Sequence, residues 1–168
     1  TKAIDELDRV LGDEGDVNIY FGDNQILFKT KTLKLVSRLI EGEFPPYERV
    51  IPEEVKDKVV VSREGFLSAI KRVALFTSAE SLSVKVYVAR DKVVLSKSTP
   101  YLVEARVELE ADYKGKDLSI GFNPSHIINM LKNVDQEKIG FEVVDPEKPC
   151  AVRIGGEYVY VVSPMRLN

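Results

Sequence analysis

Residue types on which catalysis usually depends are scarce in this sequence. The chain of 168 residues contains one cysteine, Cys150, which excludes an internal disulfide and is typical of a reducing compartment, so a cytoplasmic protein is expected. It also contains one histidine, His126, and a lone histidine on a helix is more often a surface or packing residue than a ligand. No Ser–His–acid set can be assembled without His126, and no glycine-rich phosphate loop is present. The sequence therefore predicts a protein without catalytic chemistry, cofactor or bound metal.

A basic excess and long hydrophobic runs are also missing. The chain carries 24 Lys and Arg against 27 Asp and Glu, a formal net charge of −3. A protein that binds nucleic acid through bulk charge has a basic excess, so any contact with DNA must come from local placement of Lys and Arg. No apolar stretch approaches the length of a membrane span and no signal peptide is present, so no membrane partner is expected. With 44% hydrophobic residues, the chain is long enough for one globular domain or a little more.

What the sequence does contain is an internal repeat. Three similar triplets lie within amphipathic helix patterns and are spaced by about 60 residues: Asp8-Arg9-Val10, Lys71-Arg72-Val73 and Lys132-Asn133-Val134. Alternating strands follow each helix pattern. One helix with a small sheet cannot bury its own apolar face and has to pack against a neighbour. The repeat predicts an α+β protein assembled from helix-plus-antiparallel-sheet units.

Periodicity and capping residues define the elements of these units. Ser62 and Asn123 are suitable N-cap residues, and Pro124 stands in a first helical turn, where a missing N–H costs nothing. Helices are predicted at 2–11, at 63–76 and after Asn123, and strands at 17–21, 25–28, 32–40, 59–61, 84–88, 103–109, 118–122, 138–144, 151–154 and 158–162. The predicted apolar helix faces are Ile4, Leu7 and Leu11; then Phe66, Ile70, Val73 and Ala74; then Ile127, Met130, Leu131 and Val134.

The segment 41–47 interrupts all periodicity. Its adjacent prolines, Pro45 and Pro46, fix φ and remove two hydrogen-bond donors, which indicates a linker. The predicted organisation is one unit at 1–44, a linker at 45–52, and a complete two-unit domain at 53–168, which makes one and a half domains in all. Because the chain opens on Thr1 within a helix pattern, it is expected to be a piece of a longer protein.

Two surfaces are candidates for binding. The helices carry basic residues on their polar faces, which could contact DNA: Lys2, Arg9, Arg63, Lys71, Arg72 and Lys132. Carboxylates share those faces, so ordinary solvated helices explain this pattern at least as well as DNA binding does. At the end of the chain a strand leads into Pro164-Met165-Arg166-Leu167, where a flexible thioether, a rigid proline and a guanidinium lie beside the end of a sheet. Such a surface suits an extended peptide, although Val161 and Met165 could equally complete the core.

Three segments resemble signatures of one known family, the bacterial DNA sliding clamps, which are the beta subunit of DNA polymerase III. They are Glu41-Gly-Glu-Phe-Pro-Pro-Tyr-Glu-Arg-Val-Ile-Pro52, Gly121-Phe-Asn-Pro-Ser125 and Tyr160-Val-Val-Ser-Pro-Met-Arg-Leu167. They stand in the family's order and spacing, and the resemblance covers the whole chain. It implies the second half of the clamp's middle domain followed by its entire third domain. In that family two subunits of three domains close head to tail into a ring around duplex DNA.

The resemblance also implies site residues. A hydrophobic cleft that captures linear motifs of DNA polymerase, the clamp loader and repair proteins would include Pro45, Arg49, Val50, Asn123, His126, Val161, Ser163, Pro164, Met165 and Arg166. The DNA-facing residues would be Lys2, Arg9, Lys71, Arg72 and Lys132, and the ring interface of the full-length homodimer would include Leu75 and Phe76. Two positions depart from the family pattern, since Ser163 stands where methionine is frequent and His126 where tyrosine can occur. The family's remaining cleft residues would precede Thr1.

The sequence thus favours part of a replication processivity factor that acts without chemistry of its own. The alternative is a stand-alone peptide-binding module that never contacts DNA. A small hydrolase that uses His126 ranks far below both.

Overall fold

The computed structural model describes residues 2–42, 46–53, 58–98, 104–143, 145–156 and 158–167. The chain divides into two compact units, Thr1–Pro45 and Pro46–Asn168. The described residues contain three α-helices and eleven β-strands, which confirms the predicted α+β class. No helix in these ranges is long and apolar enough to cross a membrane.

The first unit is a helix and a three-stranded antiparallel sheet. The elements are α1 (Lys2–Val10), β1 (Asn18–Phe21), β2 (Gln25–Lys29) and β3 (Lys34–Arg38), with the strands in the order β1-β2-β3. Phe28 on β2 is buried, but α1 has no buried residue. Ile4, predicted on the apolar face of α1, is 58% exposed. The predicted amphipathic stripe is therefore present in the sequence of α1 but is not covered by the described residues.

The second unit is an eight-stranded antiparallel sheet with two helices. Its elements are a 3₁₀ helix (Tyr47–Arg49), β4 (Val59–Ser62), α2 (Arg63–Ala74), β5 (Val84–Ala89), β6 (Lys92–Ser98), β7 (Glu104–Asp112), β8 (Leu118–Phe122), α3 (Pro124–Lys132), β9 (Lys138–Glu142), β10 (Cys150–Ile154) and β11 (Tyr158–Val162). The strand order is β11-β10-β9-β4-β7-β6-β5-β8. Along the chain, a succession of one strand, one α-helix and three strands occurs twice, as β4-α2-β5-β6-β7 and as β8-α3-β9-β10-β11.

The two helices of this unit begin where the capping residues predict. The Ser62 hydroxyl accepts the Gly65 N–H at 3.3 Å, and the Asn123 side-chain oxygen accepts the Ser125 N–H at 3.0 Å. Each bond satisfies one of the N–H groups that a helix start leaves without an intrahelical partner. Helices α2 and α3 pack against each other and bury their apolar faces: Phe66, Ala69, Ile70 and Val73 in α2, and Pro124, Ile127, Met130 and Leu131 in α3. In α2 the buried set includes Ala69 rather than the predicted Ala74, which is half-buried.

Three local features differ from the sequence prediction. Strand β6 was not predicted, because its centre buries three consecutive residues, Val93, Val94 and Leu95, instead of alternating them. A continuous apolar run of this kind has no period-2 signal. Helix α2 ends at Ala74 rather than at residue 76, and the irregular segment after Pro46 contains a 3₁₀ turn. Pro45 and Val103 lie outside the described residues.

Candidate functional site

Residues 163–167 follow the terminal strand β11 and contact β8, the strand at the opposite end of the strand order. Strand β11 ends at the buried Val162, and beyond Pro164 the Met165 N–H donates to the Gly121 carbonyl of β8 at 2.8 Å. Met165 and Gly121 form an isolated antiparallel bridge outside the named strand pairs. Because β8 and β11 are the two terminal strands in the order, this tail lies along the edge of β8 that faces away from β5.

A glycine makes this close approach possible. A Cβ atom built on Gly121 would lie 2.4 Å from the Met165 carbonyl oxygen and 3.0 Å from Cδ2 of Leu167. Side-chain carbons do not approach a backbone oxygen at 2.4 Å, so any other residue would displace the tail. A glycine within a strand often marks such an approach of another backbone.

An open groove of about 760 Å³ lies along the tail. Its lining residues are Ser119, Ile120, Gly121, Pro146, Glu147, Pro164, Met165, Arg166 and Leu167. Pro164, Met165 and Arg166 were predicted site residues, whereas the β8 residues, the 146–147 turn and Leu167 were not. The glycine in β8 was the one sequence signal that could have indicated this neighbourhood, since it predicts a close backbone contact.

The residues at the end of the chain differ in their exposure to solvent, which shows which of them belong to the core. Val162 is buried and fills the core, while Val161 is half-buried and Ser163 is exposed. Met165 is 36% exposed, and Leu167 is exposed as well. Met165 therefore does not complete the core. It presents a flexible apolar side chain at the groove, as surfaces that bind varied peptides commonly do.

The first turn of α3 lies next to the end of β8 in the chain. The Asn123 side-chain oxygen is engaged in capping α3, and the His126 side chain is exposed. The His126 carbonyl accepts the hydroxyl of Tyr160 at 3.0 Å, which joins β11 to α3. Burial of Tyr160, followed by the charge of Tyr158, raises the pKa of the Tyr160 hydroxyl, so this hydroxyl remains a donor at neutral pH. Asn123 and His126 do not line the groove.

Arg49 and Val50 lie at the 3₁₀ helix, and both are exposed. Neither lines the groove along the tail. Pro45, which was also predicted, lies outside the described residues.

The predicted basic residues differ in their pairing. Lys71 and Arg72 at the end of α2, and Lys132 at the end of α3, are exposed. Lys2 on α1 is exposed too, but Arg9 is engaged with the Glu6 carboxylate on the preceding turn. The hydrogen bond between Arg9 and Glu6 raises the pKa of Arg9 and lowers the pKa of Glu6. Lys2, Lys71, Arg72 and Lys132 are therefore stronger candidates than Arg9 for contact with a polyanion.

Three exposed apolar side chains follow the end of α2 along the chain. Leu75 is 82% exposed, and Phe76 and Leu82 are exposed to a smaller extent. The loop between them is held by Lys97, whose ammonium donates to the Ser81 hydroxyl at 2.5 Å and to the Ser83 carbonyl at 2.8 Å. Desolvation lowers the pKa of Lys97. Leu82 was not predicted, because it stands alone in a polar loop.

The remaining reactive side chain is inaccessible. Cys150 is fully buried, and burial together with the charge of Glu142 raises the pKa of its thiol to about 12. A thiol with such a pKa is not a nucleophile at neutral pH. In the part of the chain that the structure describes, no three His, Cys, Asp or Glu side chains are grouped to hold a metal ion.

The comparisons with known proteins agree on one family. The family model "DNA polymerase III beta subunit, central domain" matches residues 1–46, and "DNA polymerase III beta subunit, C-terminal domain" matches residues 48–166. The beta sliding clamp of Chlamydia pneumoniae is 30% identical over 167 residues, which are 99% of this chain and 46% of that protein.

Solved structures give the same result. A sliding clamp from Bartonella birtlesii, bound to griselimycin, aligns with a TM-score of 0.83 and 30% identity over 99% of this chain and 46% of its own. A DNA polymerase III beta subunit from Thermotoga maritima aligns with a TM-score of 0.76 and 34% identity over 99% of this chain and 47% of its own. The chain thus spans about half the length of the relatives it matches. These matches confirm the resemblance of the signature segments, and the chain belongs to the DNA polymerase III beta subunit family of sliding clamps.

Proposed function

We propose that the chain is the C-terminal portion of a replication processivity factor that encircles duplex DNA as a ring and docks its partners through short peptide motifs. In this proposal residues 1–44 are the second half of the clamp's middle domain, residues 45–52 are the linker, and residues 53–168 are the C-terminal domain. The protein would act without catalysing a reaction and without a cofactor, in the cytoplasm, and without a membrane partner. Its partners would be DNA polymerase, the clamp loader and repair proteins.

The groove along the tail is the observation that carries this proposal. A short linear peptide obtains most of its affinity from a few apolar anchors that enter a pocket. The exposed apolar side chains of Met165 and Leu167, with Pro164 and Pro146, can receive such anchors, while Arg166 and Glu147 supply charge at the groove. We assign Arg49, Val50, Asn123, His126, Val161 and Ser163 to the surroundings of the same site on the strength of the family resemblance, and Pro45 with them.

The griselimycin complexes of two relatives suggest a usable probe. Sliding clamps from Bartonella birtlesii and Pseudomonas aeruginosa have been crystallised with griselimycin. We propose that griselimycin binds this chain as well, in or next to the groove along the tail.

Charge supports a DNA partner in spite of the net negative charge. Exposed cations lie at the ends of the two helices, namely Lys71, Arg72 and Lys132. Exposed carboxylates lie instead on strand β7 of the sheet, at Glu104, Glu108 and Glu110. A ring that holds DNA topologically needs only weak contacts with phosphates, and such contacts are independent of sequence and sensitive to salt. Lys2 and Arg9 would add to this surface from the first unit, with Arg9 limited by its pairing with Glu6.

We assign Leu75, Phe76 and the neighbouring Leu82 to the ring interface of the full-length homodimer. Large apolar side chains that are exposed together commonly mark an interface with another protein. The alternative, a stand-alone peptide-binding module, shares the groove but gives no role to these three residues or to the exposed cations.

Titration of griselimycin against the chain and two variants tests the peptide site. Met165→Ala removes an apolar side chain that lines the groove, and we expect about tenfold weaker binding, equivalent to about 1.4 kcal/mol. Leu82→Ala is the matched control, because it removes an exposed apolar side chain that does not line the groove. Equal affinities of the wild type and Met165→Ala would show that the site has been placed wrongly.

A further inference from the structure

A carboxylate is buried at the end of β9. Glu142 is 1% exposed, its Oε1 lies 2.8 Å from Nζ of Lys58, and its Oε2 lies 2.8 Å from Nη1 of Arg153. Burying an ionised carboxylate is costly unless it is paired and hydrogen-bonded, so the two cations are needed to keep Glu142 in this place. The aliphatic stem of Lys58 passes beside Gly140, where a Cβ would be in ordinary contact with Cδ of the lysine at 3.5 Å.

Arg153 contacts more than this carboxylate. In the β9–β10 register Glu142 lies opposite Ala151, so Arg153 is its diagonal neighbour on the same face. The second terminal nitrogen of Arg153, Nη2, donates to the Pro52 carbonyl oxygen at 2.5 Å. Because a guanidinium group is a rigid planar fork, the bond to Glu142 also fixes the direction in which Nη2 points.

The segment 46–53, which receives this bond, contains no fully buried residue, and only Ile51 and Pro52 in it are half-buried. The 3₁₀ helix contains no buried residue, and its backbone hydrogen bonds are local: Arg49 N–H to the Pro46 carbonyl at 3.1 Å and Val50 N–H to the Tyr47 carbonyl at 3.0 Å. Segments with few buried apolar contacts open at low cost. A charged hydrogen bond from the sheet can therefore decide where Arg49 and Val50 are presented.

We propose that Arg153 is a positioning residue of the peptide-binding surface, because it anchors the Pro52 carbonyl to the buried Glu142 carboxylate and so holds the segment that presents Arg49 and Val50. The anchor itself rests on the geometry of these side chains. Its role in ligand binding rests on the proposed function, since Arg49 and Val50 are assigned to the ligand site there.

Arg153→Lys is the informative variant. It keeps a positive charge beside Glu142 but removes the planar second nitrogen, so the carboxylate stays paired while the bond to Pro52 is lost. Arg153→Met removes both contacts and leaves Lys58 alone with the buried charge, and we expect it to lower the melting temperature as well. Arg106→Lys, at an exposed position of β7, is the matched control.

Limited trypsin digestion under native conditions tests, without any ligand, whether Arg153 holds the segment that contains Arg49. Trypsin cuts after Arg49 when the segment opens, and mass spectrometry identifies the product. For Arg153→Lys we expect about tenfold faster cleavage after Arg49, the factor that corresponds to about 1.4 kcal/mol of opening free energy, with the melting curve close to that of the wild type. Arg106→Lys should be cleaved at the wild-type rate. Unchanged cleavage in both Arg153 variants would overturn the anchor.

Griselimycin titration then tests the functional half of the inference. We expect Arg153→Lys to bind griselimycin about five- to tenfold more weakly than the wild type and Arg106→Lys to bind it normally. Faster cleavage of Arg153→Lys with wild-type affinity would overturn the positioning role. A wild-type chain that does not bind griselimycin at all would overturn the proposed peptide site, whereas faster cleavage of Arg153→Lys would still support the anchor.

Discussion

Replacing Gly121 by alanine should move the C-terminal tail without unfolding the sheet. The new Cβ would stand 2.4 Å from the Met165 carbonyl oxygen, and ordinary contact requires a separation of about 3.4 Å. The tail must therefore retreat by about 1 Å. The Leu167 side chain can rotate away from the methyl group, but the Met165 backbone cannot, so its 2.8 Å hydrogen bond to the Gly121 carbonyl should break.

The expected energies are small and of opposite sign. Loss of one backbone hydrogen bond at the surface costs about 0.5–1.5 kcal/mol. Alanine recovers about 0.5–1 kcal/mol, because glycine loses more conformational freedom in a strand. The pairing of β8 with β5 uses the other edge of the strand, where Gly121 lies opposite Lys85, and should persist. The melting temperature should therefore change little while the groove along the tail is deformed.

Two measurements decide this prediction. Hydrogen exchange should show faster exchange of the Met165 amide, and griselimycin should bind about five- to thirtyfold more weakly, which corresponds to about 1–2 kcal/mol. Gly156→Ala is the matched control, since a Cβ there meets no atom within 4 Å. A protected Met165 amide together with wild-type affinity in Gly121→Ala would refute the argument that the glycine admits the tail.

Three further predictions concern other parts of the chain. Replacing Lys71 and Arg72 by glutamine in the full-length ring should weaken binding to duplexes of every sequence alike and reduce its salt dependence, whereas Lys85→Gln, at an exposed position of β5, should not; a sequence-dependent loss, measured by fluorescence anisotropy, would contradict a clamp. Phe66→Ala should lower the free energy of unfolding in urea by about 3–5 kcal/mol, because this ring is buried with its centroid 5.1 Å from that of Phe141; a loss below 1 kcal/mol would contradict its place in the core. Cys150 should resist thiol reagents at pH 8 until the protein unfolds, and stability should fall as pH rises from about 9 towards 12, because only the unfolded state then releases the thiol proton; rapid labelling of the folded chain would refute its burial.

The helices of the second unit could be located from the sequence because their signals are local. A hydroxyl or amide at Ser62 and Asn123 caps the next turn of backbone, and Pro124 restricts the first turn of α3, so neither helix start depends on distant residues. The alternation of Val84, Val86 and Val88 likewise indicates a strand with one buried face, and all three are buried. Strand β6 was not predicted, because successive residues at its centre are buried and its sequence therefore shows no alternation of apolar and polar residues.

The candidate site was predictable only in part. The sequence indicated the tail around Met165, because thioether, proline and guanidinium groups are concentrated there. It did not indicate the turn at Pro146 or the β8 edge at Ser119, since these come next to the tail only when β8 and β11 take the two ends of the strand order. Strand order is fixed by hydrogen bonds between segments that are far apart in the chain, and a single sequence carries no direct record of them.

The amino-acid sequence by itself determined the composition limits, the repeat of about 60 residues, the helix caps and the membership of the clamp family, because each depends on residue identity and local spacing. The tertiary structure decided which side chains meet across long separations. It closed the tail on Gly121, buried Glu142 between Lys58 and Arg153, and joined Arg153 to the Pro52 carbonyl. These contacts depend on register and on close packing, where a shift of one residue turns every side chain of a strand to the opposite face.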